Sequence, residues 1–257
     1  MKNSGINWTD HTANFWWGCE KVSDGCKNCY AETLSKRFTE GLWGLPEASR
    51  RERKHGIWTD ILKWDRAAKK EKVRRRVFVS SMSDFLEDNR EVTEWREEAM
   101  GIIERLEWLD VLMLTKRPQN AYLLGDWFEF EFPEHVWIGT TVENNHQTNR
   151  IIKLLEIPAK IHFISVEPML EKIDMLFPDE RNPRRDLWVI CGGESGPKCR
   201  PFNLDWARDL RDQCQRTNVP FWMKQLGGYP NARHELEDLP EDLRTRELPR
   251  LDQEGEK

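Results

Sequence analysis

No run of about 18 apolar residues occurs in the chain, which excludes a helical membrane span. The first residues, Met1 to Trp8, lack the apolar stretch of a secretory signal, so a cytoplasmic location is expected. Hydrophobic residues are scarce, at 38% against 33% charged, in a chain of 257 residues. Thirteen tryptophans offset that shortage, because each brings a large apolar area to bury. A single domain with a substantial core is within reach of this length. Disulfides are not expected in a cytoplasmic setting, where thiols stay reduced. Three of the six cysteines, Cys191, Cys199 and Cys214, are scattered and read as ordinary thiols.

The other three are not scattered. Cys19, Cys26 and Cys29 follow the spacing C-x6-C-x2-C within the run from Phe15 to Glu32, and no fourth cysteine lies nearby. Three clustered thiolates suit a metal centre with one coordination position open. An iron–sulfur cluster held this way binds a small molecule at its remaining iron. A zinc ion would take one more ligand, with His11 in reach, or a catalytic water. A zinc-dependent nucleic-acid-binding module and a zinc hydrolase using a carboxylate as base are therefore the alternative readings.

The net charge of −5 hides an asymmetry, because residues 50–76 hold twelve Lys and Arg against four acidic residues. With Trp58 and Trp64 interleaved, this segment is expected to contact a phosphate backbone and stack on bases. A solvated helix face is the plainer alternative. The chain from Glu235 to Lys257 is acidic and poor in large apolar residues, and is expected to be a flexible tail. Residues 1–234 then form one domain, with a basic insertion at about 40–76.

Short apolar runs ending in polar residues recur along the chain. They start at Val77, Asp110, Val136, Lys160, Leu187 and Pro220, with one more expected before Cys19. Such continuous strands are covered on both faces, as in a parallel sheet. Helical spacing between them spans Glu94–Leu109, Asn145–Glu156 and Asp205–Thr217, the last with Asn203 or Asp205 as cap. Alternating strands and helices predict an α/β fold, a full or partial (βα) TIM-like barrel of parallel strands, with a doubly wound open sheet as the alternative. Both architectures bind ligands at the C-terminal strand ends. There the sequence sets Asp84, Lys116, Arg117, Glu143, Glu167, Glu194 and Lys224, so that carboxylates and cations converge on one rim.

The segments Ile6–Asp10, Cys19–Glu32, Ser81–Asp84, Leu114–Pro118, Ser165–Pro168 and Gly192–Gly196 together resemble a phage-associated three-cysteine family carried as a domain of unknown function. The resemblance runs from about Ile6 to Gly228, and the family is placed near the radical S-adenosylmethionine (SAM) enzymes. Two features depart from the wider radical SAM pattern. The first cysteine gap is longer than usual, and Asn28 stands where an aromatic residue precedes the last cysteine.

The resemblance implies a barrel fold, with Cys19, Cys26 and Cys29 holding a [4Fe-4S] cluster and SAM cleaved to a 5′-deoxyadenosyl radical. It implies an external electron donor and an unknown substrate, with a nucleobase or nucleic acid suggested by the basic segment. Lys116 or Arg117 would pair with the SAM carboxylate. Gly192, Gly193 and Glu194 would form a Gly-Gly-Glu cradle for the amino group, with Glu167 as an alternative acceptor. Asp84 and Glu143 would face the substrate, and the catalytic set is Asp84, Glu143 and Glu167.

Overall fold

Apolar runs that alternate their side chains between two covered faces become the strands of one sheet. The structure, a computed structural model, describes residues 4–45, 47–130, 132–175, 186–230 and 233–249. Its strands are β1 (His11–Ala13), β2 (Trp16–Trp17), β3 (Glu52–Arg53), β4 (Arg75–Val79), β5 (Leu109–Thr115), β6 (Val136–Thr141), β7 (Ile161–Val166), β8 (Leu187–Gly192) and β9 (Phe221–Gln225). Its α-helices are α1 (Tyr30–Ser35), α2 (Ile57–Glu71), α3 (Thr93–Ile103), α4 (Asp126–Glu129), α5 (Asn149–Leu155) and α6 (Leu204–Arg216). The main sheet runs β1-β4-β5-β6-β7-β8-β9, parallel throughout, and curls into a half-barrel. The order never reverses, so the doubly wound alternative does not hold. β2 and β3 pair separately, as an antiparallel ribbon.

The period of two divides the side chains. Val77, Val79, Val111, Met113, Ile138, Val189 and Met223 join the helices in the larger core. Phe78, Leu112, Trp137, Phe163, Trp188 and Trp222 fill the helix-free, concave face with Trp8. Register aligns them in rows across the sheet, such as Phe78–Leu112–Trp137–Ile161. Four tryptophans thus plug the lower half-barrel, and the rows above them turn polar.

Two helices differ from their expected extent for identifiable reasons. The run from Glu94 continues as helix only to Ile103, because Asp65 of α2 accepts from the amides of Glu107 (3.1 Å) and Trp108 (2.7 Å) and so supports an irregular approach to β5. The run from Asn145 opens as a 3-10 turn, with the Asn145 amide and side chain both bonded to Glu171. Asn203 caps α6 through the Asp205 amide at 2.9 Å.

The basic segment is not an insertion. Its helix α2 is the crossover between β1 and β4, and buries Ile57, Trp58, Ile61, Trp64 and Ala68 along one stripe. Trp58 packs on Phe15 at 4.8 Å and Trp64 stacks on His11 at 4.7 Å. Neither ring is offered to a base, contrary to the expectation from the sequence. Several of its cations meet carboxylates, as in Lys63–Asp60 at 2.8 Å, Arg74–Asp110 at 2.6 Å and Arg75–Glu71 at 3.0 Å.

The expected tail also departs from its reading. Leu239 and Leu243 are buried in the larger core, and the stretch beyond them bonds to β9. The Met223 amide donates to the Thr245 carbonyl at 2.8 Å and the Glu247 amide to the Phe221 carbonyl at 2.9 Å. The physical reason is that β9 is the last strand, and its outward backbone groups need partners. Residues 250–257 of the expected tail lie outside the described residues.

Candidate functional site

The C-terminal strand ends form the rim of the half-barrel, and the loop carrying the three cysteines lies across it. Cys19 follows β2, Cys26 ends a 3-10 turn (Asp24–Cys26), and Cys29 is the N-cap of α1. All three line one cavity of about 130 Å³. Among the described residues lining it, the cysteines are the only sulfur ligands and no histidine takes part. Among the described residues, no three His, Cys, Asp or Glu side chains stand close enough together to hold one metal ion. His11, the expected fourth zinc ligand, points to the helix side: it shares a register row with Val77 and stacks on Trp64.

Charged side chains from four directions hold the loop in place. Glu87 accepts from the Glu20 amide at 3.1 Å and pairs with Arg51 at 2.6 Å, with both side chains essentially without exposure (1% and 0%). Arg117 donates to the Glu20 carbonyl at 2.9 Å and reaches the Cys19 sulfur at 3.8 Å. Glu143 accepts from the Gly25 amide at 3.2 Å and pairs with Arg150 at 2.9 Å. A Cβ on Gly25 would stand 3.0 Å from that carboxylate and press on it, so glycine suits the close approach. Glu194 accepts from Asn28 at 3.0 Å and is held by Arg200 at 2.6 Å.

Several residues expected at the substrate or at SAM have protein partners of their own. Asp84 is buried and saturated: it accepts from Thr115 (2.6 Å), the Lys116 amide (3.0 Å), the Leu86 amide (3.1 Å) and Arg117 (2.9 Å). It positions Arg117 at the edge of the thiol-lined cavity. Arg117 in turn is committed to Asp84 and the Cys19 segment. Glu143, 0% exposed, clamps the loop. Glu87, Arg51 and Arg200 were not singled out by the sequence, and Asn28 only as a departure from the cysteine motif. Their partners lie far along the chain or in irregular loops, and no spacing announces them.

A second cavity, of about 290 Å³, opens beside the first. Cys29, Tyr30, Phe78, Leu114, Lys116 and Thr141 line both, forming a common wall. Glu167 enters the second cavity, paired with Lys224 at 2.7 Å and accepting from Ser165 at 3.3 Å. Lys116 donates to Thr141 at 3.2 Å. Gly192 lies under Glu167, where a Cβ would come within 2.6 Å of its Oε1. Gly193 and Glu194 line the cavity, the Gly193 amide being bonded to the Gln225 carbonyl at 3.1 Å. Thr141 and Ser165 could have been found in the sequence, since both fall on the concave parity of their strands.

Burial pushes the Cys19 thiol well above its ordinary pKa, with Asp84 adding to the effect and Arg117 opposing it. Burial also raises Cys29, against the amides of Glu32 and Ala31 and the charge of Lys116. Burial therefore favours the protonated thiol at Cys19 and at Cys29, and a metal ion bound by them would displace those protons.

Among the described residues, no helix is long and apolar enough to cross a membrane. No curated protein matches the chain. Two solved structures with the same overall fold are mutants of spore photoproduct lyase. One, a cysteine-to-alanine mutant with dinucleoside spore photoproduct, is 12% identical with a TM-score of 0.51, over 92% of this chain and 71% of that one. The other, a tyrosine-to-phenylalanine mutant, is 12% identical with a TM-score of 0.50 over the same shares. At this identity the likeness is one of fold. A family model described as "Protein of unknown function (DUF5131)" matches residues 3–250, and the chain belongs to that family.

Proposed function

We propose that the protein is a radical SAM-type enzyme, in which Cys19, Cys26 and Cys29 hold a [4Fe-4S] cluster and the adjoining cavity takes SAM. The observation that carries this reading is the shared wall between the two cavities: three thiols line one, and ligand-binding groups of both signs line the other. The donor set fits the cluster, because it offers three thiolates and no fourth protein sulfur or imidazole along that cavity among the described residues. The alternative Cys3His zinc site loses its fourth ligand to the stack with Trp64. When bound, the reduced cluster supplies the electron that cleaves SAM to a 5′-deoxyadenosyl radical.

The chain's own residues divide the remaining work. Lys116 and Lys224 provide cations for a carboxylate, and Glu167 provides an acceptor for an ammonium group. Ile6, Trp8, Phe78 and Leu114 give an apolar wall suited to the face of an adenine ring. Arg117 sits against Cys19 and offsets the charge a thiolate would bring. Glu87, Glu143 and Glu194 keep the loop seated. The likeness in fold to an enzyme, a lyase, supports the enzyme reading. An external one-electron donor completes the requirement.

Anaerobic reconstitution with iron and sulfide tests this. The expected result is a broad band near 400 nm with about four irons per chain, and an EPR signal of the reduced protein that SAM perturbs. A colourless protein holding about one zinc per chain overturns it. Glu167→Gln is expected to keep the band while weakening SAM binding about 10- to 100-fold, since a charge-assisted hydrogen bond is lost. A titration of the SAM-induced EPR change reads this directly.

A further inference from the structure

Outside the two cavities lies a wider groove of about 650 Å³, lined along α1 and by the loop after β8. It shares Asn28, Cys29, Tyr30 and Ser195 with the inner cavity, so the two adjoin along these residues. Five cations line it (Lys21, Lys27, Lys36, Arg37 and Lys198) against one carboxylate, Glu32. Glu32 bridges Lys21 at 2.6 Å and Lys36 at 2.8 Å, which leaves the groove strongly positive on a chain whose net charge is −5. Charge of one sign concentrated on an otherwise acidic protein selects a polyanion.

Two aromatic rings narrow the choice. Tyr229 is 61% exposed and Tyr30 is 50% exposed, and both line the groove. Tyr30 donates its hydroxyl to the Ser81 carbonyl at 3.0 Å, which fixes the ring at the junction between groove and inner cavity. Exposed tyrosine faces among lysines suit unpaired bases, since every base presents a π-face, whereas an acidic peptide has no use for them. A duplex keeps its bases stacked and unavailable to such rings.

We propose that this groove binds a single-stranded segment of nucleic acid and passes one of its bases past Tyr30 into the inner cavity. The assignment of that base as substrate rests on the enzyme reading above; the binding itself does not. The basic segment at 50–76, whose tryptophans are buried, takes no part in it.

Fluorescence anisotropy of a labelled oligothymidylate with the reconstituted full chain tests the proposal, the 400 nm band being read on the same sample. Wild-type protein is expected to bind with a log–log salt slope of roughly −2 for about three phosphate contacts, losing about 20-fold between about 50 and 200 mM salt. Lys27→Ala with Lys198→Ala should flatten that slope by about 0.7 per contact removed. Tyr229→Ala should weaken binding roughly 5- to 100-fold while the band persists. The triple variant Lys63→Ala, Lys69→Ala and Lys70→Ala should bind as the wild type does. Absence of binding at low salt overturns the proposal, as does tighter binding of a duplex of the same length. Equal competition by polyglutamate, or equal losses in the control variant, also overturns it. A protein that shows the cluster and the SAM response but no binding defeats only the groove, and one that binds without a cluster defeats only the enzyme reading.

Discussion

Cys26→Ala, carried through the same anaerobic reconstitution, is expected to lose the band near 400 nm and most of its iron. Cys19→Ala and Cys29→Ala should do the same, and Cys199→Ala should leave both readings unchanged. The contrast follows from where the thiols stand. Cys19, Cys26 and Cys29 line one cavity, while Cys191 and Cys214 lie in the helix-side core, fully buried, the former with its sulfur 3.8 Å from that of Met169. A cluster bound by three thiolates has no protein ligand to substitute for a missing one. Glu20 and Asp84 also line the cavity, but Asp84 is already bonded by four donors. Loading must also discharge the thiol protons. Burial raises the thiols of Cys19 and Cys29 above their ordinary pKa, so iron uptake should be faster at higher pH within the stable range. Retention of iron in Cys26→Ala at the wild-type level would remove the three-thiolate site from consideration.

The sheet was legible because a strand covered on both faces is a continuous apolar run, and six such runs stand between Val77 and Gln225. The rim was legible for the same reason, since polarity at the end of a buried strand needs an explanation other than packing. Which of its carboxylates faces the cavity was not. Asp84, Glu143 and Glu194 are each claimed by an arginine (Arg117, Arg150 and Arg200), and such pairing is decided by tertiary approach. Glu167 alone among the predicted carboxylates meets a lysine inside the open cavity. Other signals were present in the sequence and misread. Ile57, Ile61, Trp64 and Ala68 keep helical spacing, which already turns Trp64 inward. The fate of 233–249 depends on the exposed edge of β9, a feature that no local pattern reveals.

Glu87→Ala is expected to destabilise the protein by about 3–5 kcal/mol, a fall in Tm of roughly 10 °C, because it strands a buried guanidinium. Arg51 is 4% exposed and has few ways to recover the lost charge. The guanidinium's remaining bonds go to neutral acceptors, among them the carbonyls of Leu42 (3.2 Å) and Gly44 (3.3 Å) and the Ser49 hydroxyl (2.8 Å), while the Glu91 carboxylate is bonded by the Arg51 backbone amide. Those carbonyls belong to the same strap that holds Cys19, whose amide donates to Leu42 at 3.2 Å and whose carbonyl accepts from Gly44 at 3.2 Å. The ion pair therefore does two things that can be separated. Replacing both partners with apolar residues, Arg51→Met and Glu87→Leu, should recover much of the stability, since no charge is left buried. It should not recover iron binding, because the Glu20 amide still lacks the Glu87 oxygen that anchors the residue after Cys19. Thermal unfolding and iron content measured on the single and double variants check both halves. A double variant that regains stability and iron together would show that Glu87 stabilises the fold without positioning the cysteine loop.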